Sequence, residues 1–70
     1  MKNKYEIIIY WSETDKVFIA EIPELKGCIA HGDTQNEALK EINTVAEEWL
    51  VMAKEKGWQI PKPKGRLTYA

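Results

Sequence analysis

A single cysteine in seventy residues excludes an internal disulfide and leaves no cysteine spacing for a zinc site. The chain therefore reads as a protein of a reducing compartment. No apolar run approaches the ~18 residues of a membrane span, and no charged-then-apolar leader precedes the first polar stretch. A cytoplasmic location is expected. An excess of positive charge is also missing: ten basic residues against eleven acidic ones give a formal net charge of −1, with a pI near 5.8. Such a balance supplies no global attraction to phosphate backbones. There is no internal repeat and no low-complexity stretch. Seventy residues make one domain, residues 1–70, which buries only about 60% of its unfolded surface and gains from association.

What charge there is lies unevenly. From Lys54 to Ala70 the basic residues Lys54, Lys56, Lys62, Lys64 and Arg66 face one acid, Glu55, whereas Met1 to Gln35 carries four basic and six acidic residues. A solvated, partly extended C-terminus accounts for this; contact with RNA or an acidic partner is the alternative.

The most periodic segment runs from Thr34 to Gly57. Apolar residues at Ala38, Leu39, Ile42, Val45, Ala46, Trp49, Leu50 and Ala53 repeat along one face of a helix. The arc is too wide for a coiled-coil seam and suits a helix lying on a sheet. Thr34 and Glu37 form a capping box at the start. At the end, Gly57 can turn left-handed and Trp58 fold back on Ala53, as in a Schellman cap. Glu37 in the first turn and Lys54 and Lys56 in the last suit the macrodipole. Val51 falls on the opposite face, an ordinary exposed valine or a small partner contact.

Before the helix, Tyr5 to Trp11 places Tyr5, Ile7, Ile9 and Trp11 on one face of a strand and Glu6, Ile8 and Tyr10 on the other. Both faces are mostly apolar, so the second must be covered by another subunit, and a homo-oligomer is expected. Ser12 to Lys16 reads as a turn, and Val17 to Ile22 returns antiparallel with Phe18, Ala20 and Ile22 inward. Pro23 ends that strand, Glu24, Leu25 and Lys26 form a loop, and Gly27 turns the chain into a third strand, Cys28 to His31. Beyond the helix, Ile60 to Lys64 is extended and PPII-like, and Leu67, Thr68 and Tyr69 suit a brief edge strand. The predicted fold is α+β: a three-stranded antiparallel sheet with one long helix packed on one face and a weak fourth strand, in the order β-β-β-α-β.

The segment Ala20-Glu21-Ile22-Pro23-Glu24-Leu25-Lys26-Gly27-Cys28-Ile29-Ala30-His31-Gly32-Asp33-Thr34, with Glu37-Ala38-Leu39, Trp49-Leu50 and the ending Ile60 to Ala70, resembles the HicB family of bacterial antitoxins. The likeness spans essentially the whole chain and is closest to short, single-domain members. Lys26 stands where the family usually has a second proline. The resemblance implies a partial RNase H-like fold that neutralises a small RNA-cleaving toxin of the HicA type by binding it, without catalysis of its own. Full-length members carry a C-terminal operator-binding segment, and this sequence ends before one could form, so direct DNA binding is not expected.

Candidate chemistry is sparse. Of the acids near the strands only Glu6 and Glu21 fall within predicted strands, where they would face each other across the hairpin. A metal there would need further ligands from loops, and solvent-facing positions are the simpler account. His31, the sole histidine, has no nucleophile or paired acid beside it in sequence and reads as a strand-end residue rather than a general base. Cys28 reads as a small core residue. No cofactor is expected. Of the three tryptophans, Trp49 is assigned to the helix's core face and Trp58 to its cap, which leaves Trp11, at a strand end beside a polar turn, to solvent; with the basic tail it would give a weak single-stranded RNA binder. The favoured reading assigns partner binding to Glu21, Glu24 and Asp33, with Leu25 as an apolar anchor, against a basic toxin surface. A solitary oligomeric adaptor is the alternative from another class.

Overall fold

A computed structural model describes residues 4–63 of the chain. Strands β1 (Ile8–Ser12), β2 (Val17–Glu21) and β3 (Ile29–Gly32) are followed by a single helix, α1 (Gln35–Lys56). The strands form one antiparallel sheet in the order β1-β2-β3, so β2 is central. The expected α+β architecture is thus observed for three strands and the helix. The fourth strand expected at Leu67 to Tyr69 lies outside the described residues.

The register follows from side-chain alternation. Ile9 pairs with Ala20 and Ala20 with Ala30, a row that points toward α1 together with Trp11, Phe18 and Gly32. Ala20 and Ile22 are buried, and Tyr5, Ile7, Ile9 and Phe18 pack around them, as the alternation predicts. The β1–β2 turn is closed by Lys16 N–H donating to the Ser12 carbonyl at 2.7 Å, with Asp15 N–H on Ser12 Oγ at 3.2 Å. Lys16 pairs with Glu13, and Trp11 Nε1 donates to Glu13 Oε1 at 2.9 Å, holding its carboxyl below the usual range.

Helix α1 begins and ends as its sequence dictates, with one difference. Thr34 Oγ1 accepts from Glu37 N–H at 3.1 Å, but Glu37 reaches back to Asp33 N–H at 2.9 Å rather than to the cap residue's own amide. The acid thereby ties the helix to the end of β3. At the other end Gly57 sits at φ 72°, Trp58 N–H donates to the Ala53 carbonyl at 2.8 Å, and Gly57 N–H reaches the Lys54 carbonyl at 3.4 Å. These are the bonds of a Schellman cap.

The helix face against the sheet is made mostly of alanine: Ala38, Ala46 and Ala53 are buried together with Ile42. Leu39, expected on that face, is largely exposed. Gly32 takes the closest approach. A Cβ there would lie 2.6 Å from Ala38 N and 2.7 Å from Glu37 Cβ, inside any tolerable contact with the helix backbone. Trp49, expected on the same apolar face, is only half-buried. Its Nε1 donates to the Lys26 carbonyl at 2.9 Å and its ring meets Trp58 at 5.8 Å, because an indole N–H needs a polar partner that the alanine-lined centre does not offer.

Gly32→Ala is expected to destabilise the protein by about 1–3 kcal/mol, since the helix backbone cannot yield without lifting off the sheet. Equilibrium urea unfolding measures it. Gly57→Ala, strained only by its positive φ with open space around it, is expected to cost about 1 kcal/mol.

Candidate functional site

The helix covers one face of the sheet, and among the described residues nothing packs over the other, bare face. On the bare face the alternate residues of each strand align: Ile8 and Tyr10 from β1, Glu21, Ile19 and Val17 from β2, Ile29 and His31 from β3. Ile8, Tyr10 and Ile29, from the two outer strands, are 37%, 44% and 53% exposed, large values for apolar side chains within one sheet. Glu21 sits in the row between Ile8 and Ile29, and Tyr10 OH extends toward its Oε2 at 3.4 Å. Partial burial and the nearby Glu21 charge both push the Tyr10 phenol up. The result is an apolar strip that also holds the Glu21 carboxylate and, at its β3 side, His31, a composition found at protein–protein interfaces.

The four residues expected to bind a partner are dispersed. Glu21 is on the bare face. Glu24 is half-buried in the β2–β3 loop near Tyr5, whose phenol is pushed up by burial and by the Glu24 charge. Tyr5 OH in turn donates to the Pro61 carbonyl, fastening the segment after the helix to the start of the chain. Asp33 lies beyond β3, about 13 Å along the strands from the Glu21 row, judged from the strand rise. Leu25 does not serve as an exposed anchor: it is 0% exposed and belongs to the core. The loop explains the correction. Leu25 N–H donates to the Ile22 carbonyl at 3.0 Å, Cys28 N–H to the Leu25 carbonyl at 2.9 Å and Ile22 N–H to the Cys28 carbonyl at 3.1 Å, folding Leu25 inward as a plug.

Residues that sequence reading did not gather are Ile29 and His31. Their signal was available: with Cys28 and Ala30 facing the helix, Ile29 and His31 must fall on the opposite face, beside Glu21 and Ile19 respectively. Glu6 lies outside the strands, and Glu21 pairs with Ile8 and Ile29, so no facing acid pair forms. Among the described residues no three His, Cys, Asp or Glu side chains gather where they could hold a metal ion. Trp11 is 46% exposed, its ring edge-on to Phe18 at 5.1 Å. Val51 is exposed, beside Met52 on the outer side of α1. No helix of the described residues is long and apolar enough to cross a membrane.

Cys28 is buried, and desolvation pushes its thiol up. The sign follows from linkage: a thiol harder to ionise in the folded protein than in the unfolded one loses stability as pH rises past the ordinary thiol value of about 8.5. Alkylation of Cys28 by iodoacetamide is therefore expected only through unfolding, at least tenfold slower than in the urea-unfolded chain. Leu25→Ala is expected to destabilise by about 2–5 kcal/mol, as for a core leucine, measured by urea unfolding.

A family model described as UPF0150-like matches residues 2–61. The chain is 40% identical over 64 residues to the UPF0150 protein ssl0259 of Synechocystis sp., a match that covers 91% of this chain and 86% of that one. No solved structure matches significantly. The matched span takes in β1, β2 and β3, the β2–β3 loop that buries Leu25 and the whole of α1 with both its caps; the chain belongs to the UPF0150 family.

Proposed function

We infer that the protein is a HicB-related antitoxin, which binds a small basic RNA-cleaving toxin of the HicA type and covers its active site, doing no chemistry itself. Two things support this reading: the HicB-like residues from Ala20 to Thr34, and membership of a family whose match extends over them. The observation that carries it is the bare sheet face, where Ile8, Tyr10 and Ile29 stay exposed around Glu21. A specific complex needs about 1,200 Å² of buried surface or more, a large share of a domain this small, so a whole face must be given over to it. Glu21 is the charge placed to meet a basic surface within that apolar strip.

The test is co-expression with a small basic ribonuclease of the HicA type, sought in the neighbouring reading frame. A stable complex with suppressed ribonuclease activity is expected; separate elution with full activity would sink the reading. Glu21→Lys is expected to weaken that complex about tenfold or more and to flatten its salt dependence, measured by titration calorimetry at two ionic strengths.

A second reading, an oligomeric adaptor, is favoured by the same exposure at Ile8 and Tyr10, which one copy could cover on another. Sedimentation at high micromolar concentration separates the two: self-association that Ile8→Lys abolishes supports the adaptor, whereas a monomer that binds only the toxin dismisses it.

A further inference from the structure

β3 is an edge strand whose outer side meets no other described strand. Its hydrogen-bonding phase is set by Ile22 N–H donating to the Cys28 carbonyl at 3.1 Å, which makes 22 and 28 a bonded pair. Counting along the register, the bonded pairs are then Ala20 with Ala30 and Phe18 with Gly32. Ala30 and Gly32 thus turn their backbone groups toward β2. Ile29 and His31 turn theirs outward, and such groups are a template for another strand. The next outward amide, that of Asp33, is already taken by Glu37. This bonded end marks where a docked strand must stop.

Beside this edge the first turns of α1 form one wall of a cleft of about 610 Å³, with Asp33, Glu37 and Glu41 along it, Lys40 among them and Val45 at its inner end. Glu37 and Glu41 are four residues apart and share one side of the helix. A strand added to β3 would point alternate side chains toward that wall and the others toward Ile29, His31 and the bare face. Charge decides what that strand carries. Three carboxylates against one lysine disfavour a second copy, whose own acidic shoulder would be brought up to this one, and favour lysine or arginine at alternate positions.

We propose that the β3 edge, flanked by the acidic first turns of α1, is the docking site for an extended basic segment of a protein partner, which adds to the sheet as a further strand. This deepens the antitoxin reading and rests on it for the identity of the partner; it names the edge and the backbone groups that such a partner engages. Main-chain bonds to Ile29 and His31 supply the affinity, and Glu37 and Glu41 select for basic side chains.

The probe is an eight-residue peptide alternating lysine and valine, with a glutamate and valine peptide as control, added to the full-length chain. Amide hydrogen exchange is followed by NMR. At a free peptide concentration near ten times its dissociation constant, exchange at Ile29 and His31 is expected to slow about tenfold, with no such effect from the control. His31→Pro removes an outward N–H at a position where an edge strand tolerates proline, and is expected to abolish protection while the melting transition persists. Glu41→Lys, at an exposed helix position, gives a second route and is expected to weaken peptide binding without touching the strand. Unchanged exchange at Ile29 and His31, equal binding of both peptides, or binding indifferent to both variants would overturn the proposal. Protection that grows with the protein's own concentration, without peptide, would assign the edge to a second copy and overturn it too. The same variants are titrated with a small basic ribonuclease of the HicA type. If it binds the wild type and His31→Pro alike, the edge site falls and the antitoxin reading stands. If it binds neither while the lysine peptide still protects the edge, the antitoxin reading falls and the edge site stands.

Discussion

The contact on which the structure depends is the approach of the first turn of α1 to the backbone of Gly32. With no side chain at Gly32, the helix backbone comes so near that a single methyl group would lie 2.6 Å from Ala38 N. Alanine at 20, 30, 38 and 46 continues the same condition along the interface, so that helix and sheet meet through their main chains as much as through side chains. A layer pair built in this way is thin. It encloses few large residues, with Ile22, Leu25 and Ile42 the largest that are fully buried, and each of them accounts for a substantial part of a marginal stability.

That thinness explains the weight placed on small local devices. Leu25 is brought into the core by a loop folded back on itself, because strands and helix alone leave the end of the sheet open at that point. Glu37 bonds the Asp33 amide and Thr34 the Glu37 amide, so the β3–α1 junction is tied from both sides. Tyr5 holds Pro61, joining the two extremities of the described chain. Among the described residues the sheet face away from α1 keeps Ile8, Tyr10 and Ile29 exposed, a composition common to surfaces that contact other proteins.

Much of this could be read from the residues. The helix, its caps and the strand order follow from periodicity, from Gly57 and from Pro23, each a local signal whose physics does not depend on the rest of the fold. The inward set Phe18, Ala20 and Ile22 was equally legible. What could not be read was the path of the β2–β3 loop: Pro-Glu-Leu between two strands looks like an exposed tip, and only three backbone bonds turn Leu25 inward. Glu21, Glu24 and Asp33 illustrate the same limit, since neighbours in a loop sequence separate when a strand carries them to opposite ends of a sheet. Trp49 was misplaced because apolar periodicity does not register the demand of an indole N–H for an acceptor.

The acids along the β3 edge have a double origin that bears on specificity. Glu37 is required where it is by the cap and by the helix dipole, which favours negative charge in the first turn, so its presence alone distinguishes no partner. Glu41 lies one turn further on, past the reach of the cap and with its side chain in solvent, and the fold makes no demand for it. Any discrimination among extended segments at this edge must therefore come from the combination: a fold-imposed charge at Glu37, an unconstrained one at Glu41, and backbone groups of Ile29 and His31 whose direction is fixed by pairing with β2. Recognition built on main-chain bonds is indifferent to sequence, and it is the spacing of two carboxylates along a rigid helix that converts it into a preference for charge at alternate positions.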